Sequence, residues 1–226
     1  MKYNIKVNTV KSRNENNKVR GFASVVFEDS FKVDNIAIVE NREGNLFVSM
    51  PSYMSSDRDE YNNPIFKSFC NPITSEFHKE LTEAILTAYE HREEFGKEGM
   101  NVEVGNSNGE LPFTVAVTPL ENDEGSRKGL ARMYIDESFV VSNISVVDGE
   151  KGLFVSMPSV KTGKTYKGKA DFRDVCFPVT KEFRQTLYDT VLDEYNKALE
   201  QNMAVAHNVA AGTPIYTGEV QTSPFR

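Results

Sequence analysis

Leu46-Phe47-Val48-Ser49-Met50-Pro51-Ser52 recurs without a change as Leu153-Phe154-Val155-Ser156-Met157-Pro158-Ser159. An identical run of this length within one chain marks a duplication. Working outward, Phe31, Val33, Asn35 and Ile36 answer Phe139, Val141, Asn143 and Ile144, while Cys70, Pro72, Thr74, Glu76 and Phe77 answer Cys176, Pro178, Thr180, Glu182 and Phe183. The offset between the copies drifts only from 108 to 106 residues. A period near a hundred residues is far above the roughly 20–50 of solenoid repeats, so the chain reads as two domains and not as an array. The boundaries read as 1–95 for the first domain, 96–110 for a flexible linker with four glycines, 111–200 for the second domain and 201–226 for a mobile tail.

Each half opens with alternation of apolar and polar residues, Tyr3, Ile5 and Val7 in one and Phe113, Val115 and Val117 in the other, which predicts a half-buried strand. Polar turns at 11–18 and 121–127 then lead to second strands over Val19–Phe27 and Leu130–Ile135. Acidic breaks at Glu28-Asp29-Ser30 and Asp136-Glu137-Ser138 separate these from third strands rich in β-branched residues. The repeated Leu-Phe-Val-Ser-Met run is the fourth strand, halted by Pro51 and Pro158. Polar loops at 53–63 and 160–170 follow, the least similar part of the two halves, and after them come short edge strands at 65–69 and 172–175.

Helices close both halves. Phe77, Leu81, Ile85 and Tyr89 recur every four residues, as do Phe183, Leu187, Val191 and Tyr195, giving one apolar stripe per helix. Thr74 or Ser75 and Thr180 are N-cap candidates, and Glu76 and Glu182 suit the positive end of the helix dipole. The aromatic ends of the stripes read as core and not as a ligand cage. The fold class is therefore α+β, two tandem domains each made of an antiparallel sheet followed by a C-terminal helix.

The chain has 226 residues, 39% hydrophobic and 26% charged, as in ordinary globular proteins. Its start, Met1-Lys-Tyr-Asn-Ile-Lys-Val7, lacks the apolar core of a secretory signal, and no apolar run reaches the length of a membrane span, so a cytoplasmic protein with no membrane partner is expected. Cys70 and Cys176 occupy equivalent repeat positions, which predicts one buried thiol per domain; a bridge across the axis relating the halves is the alternative, disfavoured in a reducing compartment. A net charge of −7 argues against coating nucleic acid by overall attraction and leaves room only for a local basic patch.

With the fourth strand placed, the run Val146-Val-Asp-Gly-Glu-Lys-Gly-Leu-Phe-Val-Ser-Met-Pro-Ser159, followed by Phe172-Arg-Asp-Val-Cys-Phe-Pro-Val179 and Val191-Leu-Asp-Glu-Tyr195, resembles the bacterial SpoVG family of stage V sporulation and septation regulators. The first half departs more, with Glu40-Asn41 where Asp148-Gly149 stands and Lys67-Ser68 in place of Arg173-Asp174. The resemblance implies an α+β domain that pairs through its strands, and a non-catalytic regulator that binds DNA or RNA. With two copies in one chain, it further implies an intrachain pseudo-dimer in which each half covers an edge strand left open by the other. Whether the tandem assembles further stays open.

For nucleic acid the best stretch is Lys161–Asp174, where Lys161, Lys164, Lys167, Lys169 and Arg173 outnumber Asp171 and Asp174, and Tyr166 sits among the lysines as a stacking surface. The corresponding first-half stretch has Arg58 and Lys67 against Asp57, Asp59 and Glu60, so that half reads as having lost a phosphate role. The resemblance adds basic residues near the helix start, here Lys181 and Arg184, with His78 and Lys79 in the first half. A solvated lysine loop and an ordinary exposed helix face are the competing readings of both sets. In functional terms the competitor is a protein-interaction module that keeps the fold without nucleic acid.

Enzyme chemistry finds little support. His78, His91 and His207 have no metal-ligand spacing with one another or with the cysteines, and no GxSxG, Walker A or dinucleotide fingerprint is present. No cofactor is expected. Asp148 and Asp174 read first as turn and loop stabilisers.

Overall fold

Alternation sets the first sheet. In the computed structural model, which describes residues 1–10, 18–104, 109–121, 125–166 and 168–210, β1 (Lys2–Thr9) pairs antiparallel with β2 (Val19–Phe27) in the register Tyr3 to Phe27 and Ile5 to Val25. Those four side chains share one face and are buried. Glu28 and Asp29 then turn the chain with φ of 43° and 51°, and Asp136 and Glu137 do the same at 46° and 51°. Two consecutive positive φ values give the primed hairpin turn whose twist matches that of the strands. Non-glycine residues are strained there, and in the first half the Glu28 carboxylate offsets part of that cost by accepting the Lys2 amide at 2.5 Å.

β3 (Phe31–Glu40) follows, with Asn35 at φ 60° where the register against β2 slips between Ala23 and Val25. Asparagine tolerates the left-handed region that such a bulge requires, and Asn143 repeats it at φ 65°. β4 (Leu46–Ser49) folds back on the far end of β3, and Pro51 ends that ladder. Then come β5 (Ser52–Arg58), β6 (Pro64–Ser68), β7 (Cys70–Pro72), α1 (Ser75–Glu90), the single turn α2 (Arg92–Phe95) and β8 (Met100–Glu103). The second half repeats the plan as β9 (Phe113–Pro119), β10 (Arg127–Ile135), β11 (Phe139–Gly149), β12 (Gly152–Ser156), β13 (Ser159–Tyr166), β14 (Lys169–Asp174), β15 (Cys176–Pro178) and α3 (Lys181–Ala210). Both long helices are capped by threonine: Phe77 N–H donates to Thr74 Oγ1 and Phe183 N–H to Thr180 Oγ1, each at 3.2 Å.

The two halves exchange a strand. β7 leaves the first half and pairs with β11, setting Cys70 opposite Val141 and Pro72 opposite Phe139. β15 makes the reciprocal move onto β3, setting Cys176 opposite Val33 and Pro178 opposite Phe31. Matching bonds flank both crossings, from Asp34 N–H to Val175 O at 2.8 Å and from Ser142 N–H to Phe69 O at 2.7 Å. Each half thus supplies the strand that covers part of the other's third strand, and the pseudo-dimer the sequence predicts is an interlocked one.

One apolar core spans both halves. Phe139 of the second half lies 5.2 Å, ring to ring, from Phe27 and 6.4 Å from Phe77 of the first. Phe31 of the first half returns the contact, 6.2 Å from Phe183. Cys70 and Cys176 are buried free thiols, and Cys176 is pushed well up by burial and then by the Cys70 thiol beside it. The aromatic ends of the two apolar stripes also pack inward. Tyr195 closes over Gly129, where an added Cβ would stand 2.9 Å from the ring, and Tyr89 closes over Gly21.

Three expectations need correction. The polar loops at 53–63 and 160–170 are the larger part of two-stranded hairpins, β5 with β6 and β13 with β14, which stand apart from the main sheets. The segment 96–110, expected to be a flexible linker, holds β8 on the outer edge of β1, with Met100 opposite Ile5 and Val102 opposite Tyr3. The tail expected from 201 onward begins instead as helix, since α3 runs to Ala210; residues 211–226 lie outside the described residues. The turns expected at 11–18 and 121–127 likewise fall largely outside them.

Candidate nucleic-acid interface

Pro158 releases the chain from the second sheet, and β13 and β14 pair as an arm with Ser159 opposite Asp174, Val160 opposite Arg173 and Lys161 opposite Phe172. The register slips beyond Lys161 and resumes with Thr165 opposite Ala170 and Tyr166 opposite Lys169. Gly163 takes φ of 74° within the slip and Gly168 takes 77° at the tip, positions that favour glycine. Thr162 Oγ1 donates to Asp171 Oδ2 at 2.7 Å and accepts the Lys164 amide at 3.3 Å, which fixes the irregular stretch.

Phe172 is 56% exposed, with the Lys161 ammonium 6.0 Å from its ring centroid. An exposed ring under a cation is a surface on which a base can stack while its phosphate is neutralised. Val160, Thr162, Lys164, Asp171, Phe172 and Arg173 line an open cleft of about 590 Å³, and Asn35 of the first half completes its wall. Arg173 Nη2 reaches Asp34 Oδ2 at 2.7 Å, and Asp34 also lies 3.5 Å from Lys32 Nζ. The arm is therefore anchored across the boundary between halves, because β15 lies on β3.

Of the residues the sequence singles out, Lys164 and Arg173 line the cleft, Lys161 stands opposite Phe172 in the ladder, and Tyr166 and Lys169 flank the arm's tip in the backbone register. Lys167 lies outside the described residues. Lys181 is exposed in the first turn of α3. Arg184 acts at the base of the arm: it pulls against the burial that pushes the Asp174 carboxyl above its ordinary value, and its Nη2 donates to Pro178 O at 3.4 Å. Sequence reasoning missed Phe172 as a stacking surface and missed Asp34 and Asn35 altogether. The last two sit nearly 140 residues from the arm in sequence, and only the strand exchange brings them to it.

The first arm differs in chemistry. Lys67 pairs with Asp57, whose carboxyl it holds below the ordinary range, and Arg58 turns to the Ser55 and Asp57 carbonyls at 3.2 and 3.1 Å. Asp59 ties the tip, accepting from the Asn63 and Tyr61 amides at 2.7 and 2.9 Å and from Asn63 Nδ2 at 3.0 Å. Tyr61 and Phe66 are largely exposed. Cations spent on internal pairs leave this arm acidic and aromatic. Among the described residues no group of three His, Cys, Asp or Glu side chains is placed to hold a metal ion.

Comparison with known families agrees with the duplication. The SpoVG family model matches residues 1–91 and again 113–197. The chain belongs to the SpoVG family. It is 40% identical over 81 residues to the putative septation protein SpoVG of Caldanaerobacter subterraneus subsp. tengcongensis, covering 36% of this chain and 84% of that protein. The protein of the same name from Clostridioides difficile is 42% identical over 79 residues, covering 35% of this chain and 80% of its own length. That from Bacillus pumilus is 34% identical over 92 residues, covering 41% and 89%. A relative's length thus corresponds to one half of this SpoVG-family chain, which carries two copies of the family domain. No helix among its described residues is long and apolar enough to cross a membrane.

Proposed function

We propose that this SpoVG-family chain is a non-catalytic, septation- and sporulation-related regulator of the bacterial cytosol that binds DNA or RNA through its second hairpin arm. The observation that carries this reading is the exposed Phe172 ring with the Lys161 ammonium over it, on an arm that also bears Lys164 and that the Arg173–Asp34 ion pair holds in place. Cations close to a sequence-tolerant stacking surface suit a single strand better than the edges of a duplex. With −7 net charge the rest of the molecule repels phosphate, so contacts are few, affinity is modest and the salt dependence is shallow.

The test is a fluorescence-anisotropy titration of random single- and double-stranded DNA and RNA at two salt concentrations, comparing the parent with Lys164→Glu combined with Lys167→Glu. Each lost phosphate contact lowers the slope of log affinity against log salt by about 0.7–0.9. Unchanged affinity and slope would remove the arm from the mechanism. A second reading, a protein-interaction module, is favoured by the first arm, where paired cations and the exposed Tyr61 and Phe66 present an acidic, aromatic face. Absence of nucleic-acid binding by the parent at both salt concentrations would decide for that module.

A further inference from the structure

β1 and β9 are equivalent strands with different neighbours. β8 lies along β1 and buries Tyr3 and Ile5 completely, at 1% and 0% exposure, whereas Val7, beyond the reach of β8, stays half-buried. Their counterparts Phe113, Val115 and Val117 on β9 are all half-buried, although Phe113 packs 5.3 Å from Phe183. Among the described residues β9 pairs only with β10. The difference is what a missing neighbouring strand leaves: an apolar row covered from above by α3 and open at the side.

The ladder shows which groups face that side. Leu120 N–H donates to Lys128 O and Asp136 N–H to Pro112 O, so the even-numbered residues of β9 bond to β10. Phe113, Val115 and Val117 therefore direct their amides and carbonyls away from the sheet. No charged residue occurs from Phe113 to Pro119, and β9 has none of the lysines that guard exposed edges; β1, already covered, has Lys2 and Lys6.

The row is also its own complement. Thr114-Val115-Ala116-Val117-Thr118 reads the same in both directions. We infer that β9 pairs antiparallel with β9 of a second copy about a two-fold axis at Ala116, joining the second sheets of two chains into one. Val115 then stands opposite the partner's Val117 in a hydrogen-bonded pair on the helix side. Thr114 stands opposite the partner's Thr118, and Ala116 meets its own equivalent on the solvent side, where its small side chain permits close approach. The pairing satisfies the outward amides of Val115 and Val117 and covers the half-open apolar row, as β8 does for β1. This contact is separate from the strand exchange within each chain.

Sedimentation equilibrium of the full chain over a concentration series tests it. The weight-average mass is expected to rise from 25.5 kDa towards twice that value. Ala116→Lys, an exposed substitution that sets two like charges face to face, is expected to hold the mass at the monomer value. Val115→Pro, which deletes an outward amide without touching the bonds to β10, should do the same. Far-UV circular dichroism confirms that each variant is folded, and the more exposed Ala116 site keeps the test decisive if Val115→Pro unfolds. A chain ending at Ala210 is expected to dimerise like the parent. A full chain that stays monomeric at every concentration, a dimer indifferent to Ala116→Lys, or dimerisation only after removal of residues 211–226 would each overturn the inference, the last by identifying the tail as occupant of the edge.

Discussion

Phe139→Ala probes the shared core at its centre. The side chain has no exposed surface and lies between Phe27 and Phe77 of the other half, 5.2 and 6.4 Å between ring centroids. Truncating a buried phenylalanine costs about 3–5 kcal/mol through lost transfer energy and the cavity left behind. The rigid rings around this site, with Pro72 held opposite in the ladder, oppose collapse, so a loss of about 4 kcal/mol is expected, a large share of the roughly 5–15 kcal/mol available to a folded domain. For a chain of this size that lowers the melting temperature by about 8–16 °C. The protein has no tryptophan, so urea unfolding is followed by far-UV circular dichroism and by tyrosine fluorescence, with tyrosines in both halves. Both probes should shift together and retain one transition, because the truncated ring touches first-half residues. As a control, Phe66→Ala, 65% exposed on the first arm, should change stability by less than about 0.5 kcal/mol. A loss below about 1 kcal/mol for Phe139→Ala, or a split curve in which the second half melts alone, would refute the reasoning.

Other substitutions probe separate contacts. Gly129→Ala drives a Cβ to 2.9 Å from the Tyr195 ring, which is too buried to move aside, and should cost about 1–3 kcal/mol in the same denaturation assay; Gly129→Ala in a Tyr195→Ala background should cost much less. A double-mutant cycle of Asp34→Asn and Arg173→Gln should return a coupling of about 0.5–1 kcal/mol, since Arg173 remains well exposed, and zero coupling would detach the arm from the first half. Asp174 titrates above its ordinary value when folded because burial disfavours its charge. The folded state then holds that proton more tightly than the unfolded state, so this group's contribution to stability declines as pH rises above about 4. Asp174→Asn removes the decline, and a parent-minus-variant stability difference that instead grows more favourable with rising pH would contradict it.

Much of this architecture is legible in the chain itself, because duplication prints the same pattern twice. Strand β2, the turn at Glu28 and Asp29, the helix stripes and the Thr74 and Thr180 caps follow from alternation, four-residue spacing and capping chemistry. The exchange of β7 and β15 does not follow from local pattern. Cys-x-Pro is the same in both halves and so are its two available partners around Phe31 and Phe139, so local sequence scores the swapped and unswapped pairings almost equally. The interdomain glycines illustrate a different ambiguity. Gly99 reads as flexibility, yet it has φ of 79° and a Cβ there would stand 2.3 Å from the Ile5 carbonyl oxygen, so its role is to let β8 approach β1. At the candidate site, the excess of cations from Lys161 to Arg173 is visible in sequence. The neutralisation of Arg173 by Asp34 is not, because that carboxylate belongs to the other half.

The most direct test of the interlocked pseudo-dimer is the cross-strand Hα–Hα contact at its two crossings, measured by nuclear Overhauser spectroscopy on the labelled chain. Cys176 and Val33, and likewise Cys70 and Val141, occupy non-hydrogen-bonded positions where opposing Hα atoms come closest. Strong contacts for both of these pairs are predicted. Contacts instead between Cys176 and Val141 and between Cys70 and Val33, each half closed on itself, would contradict the account.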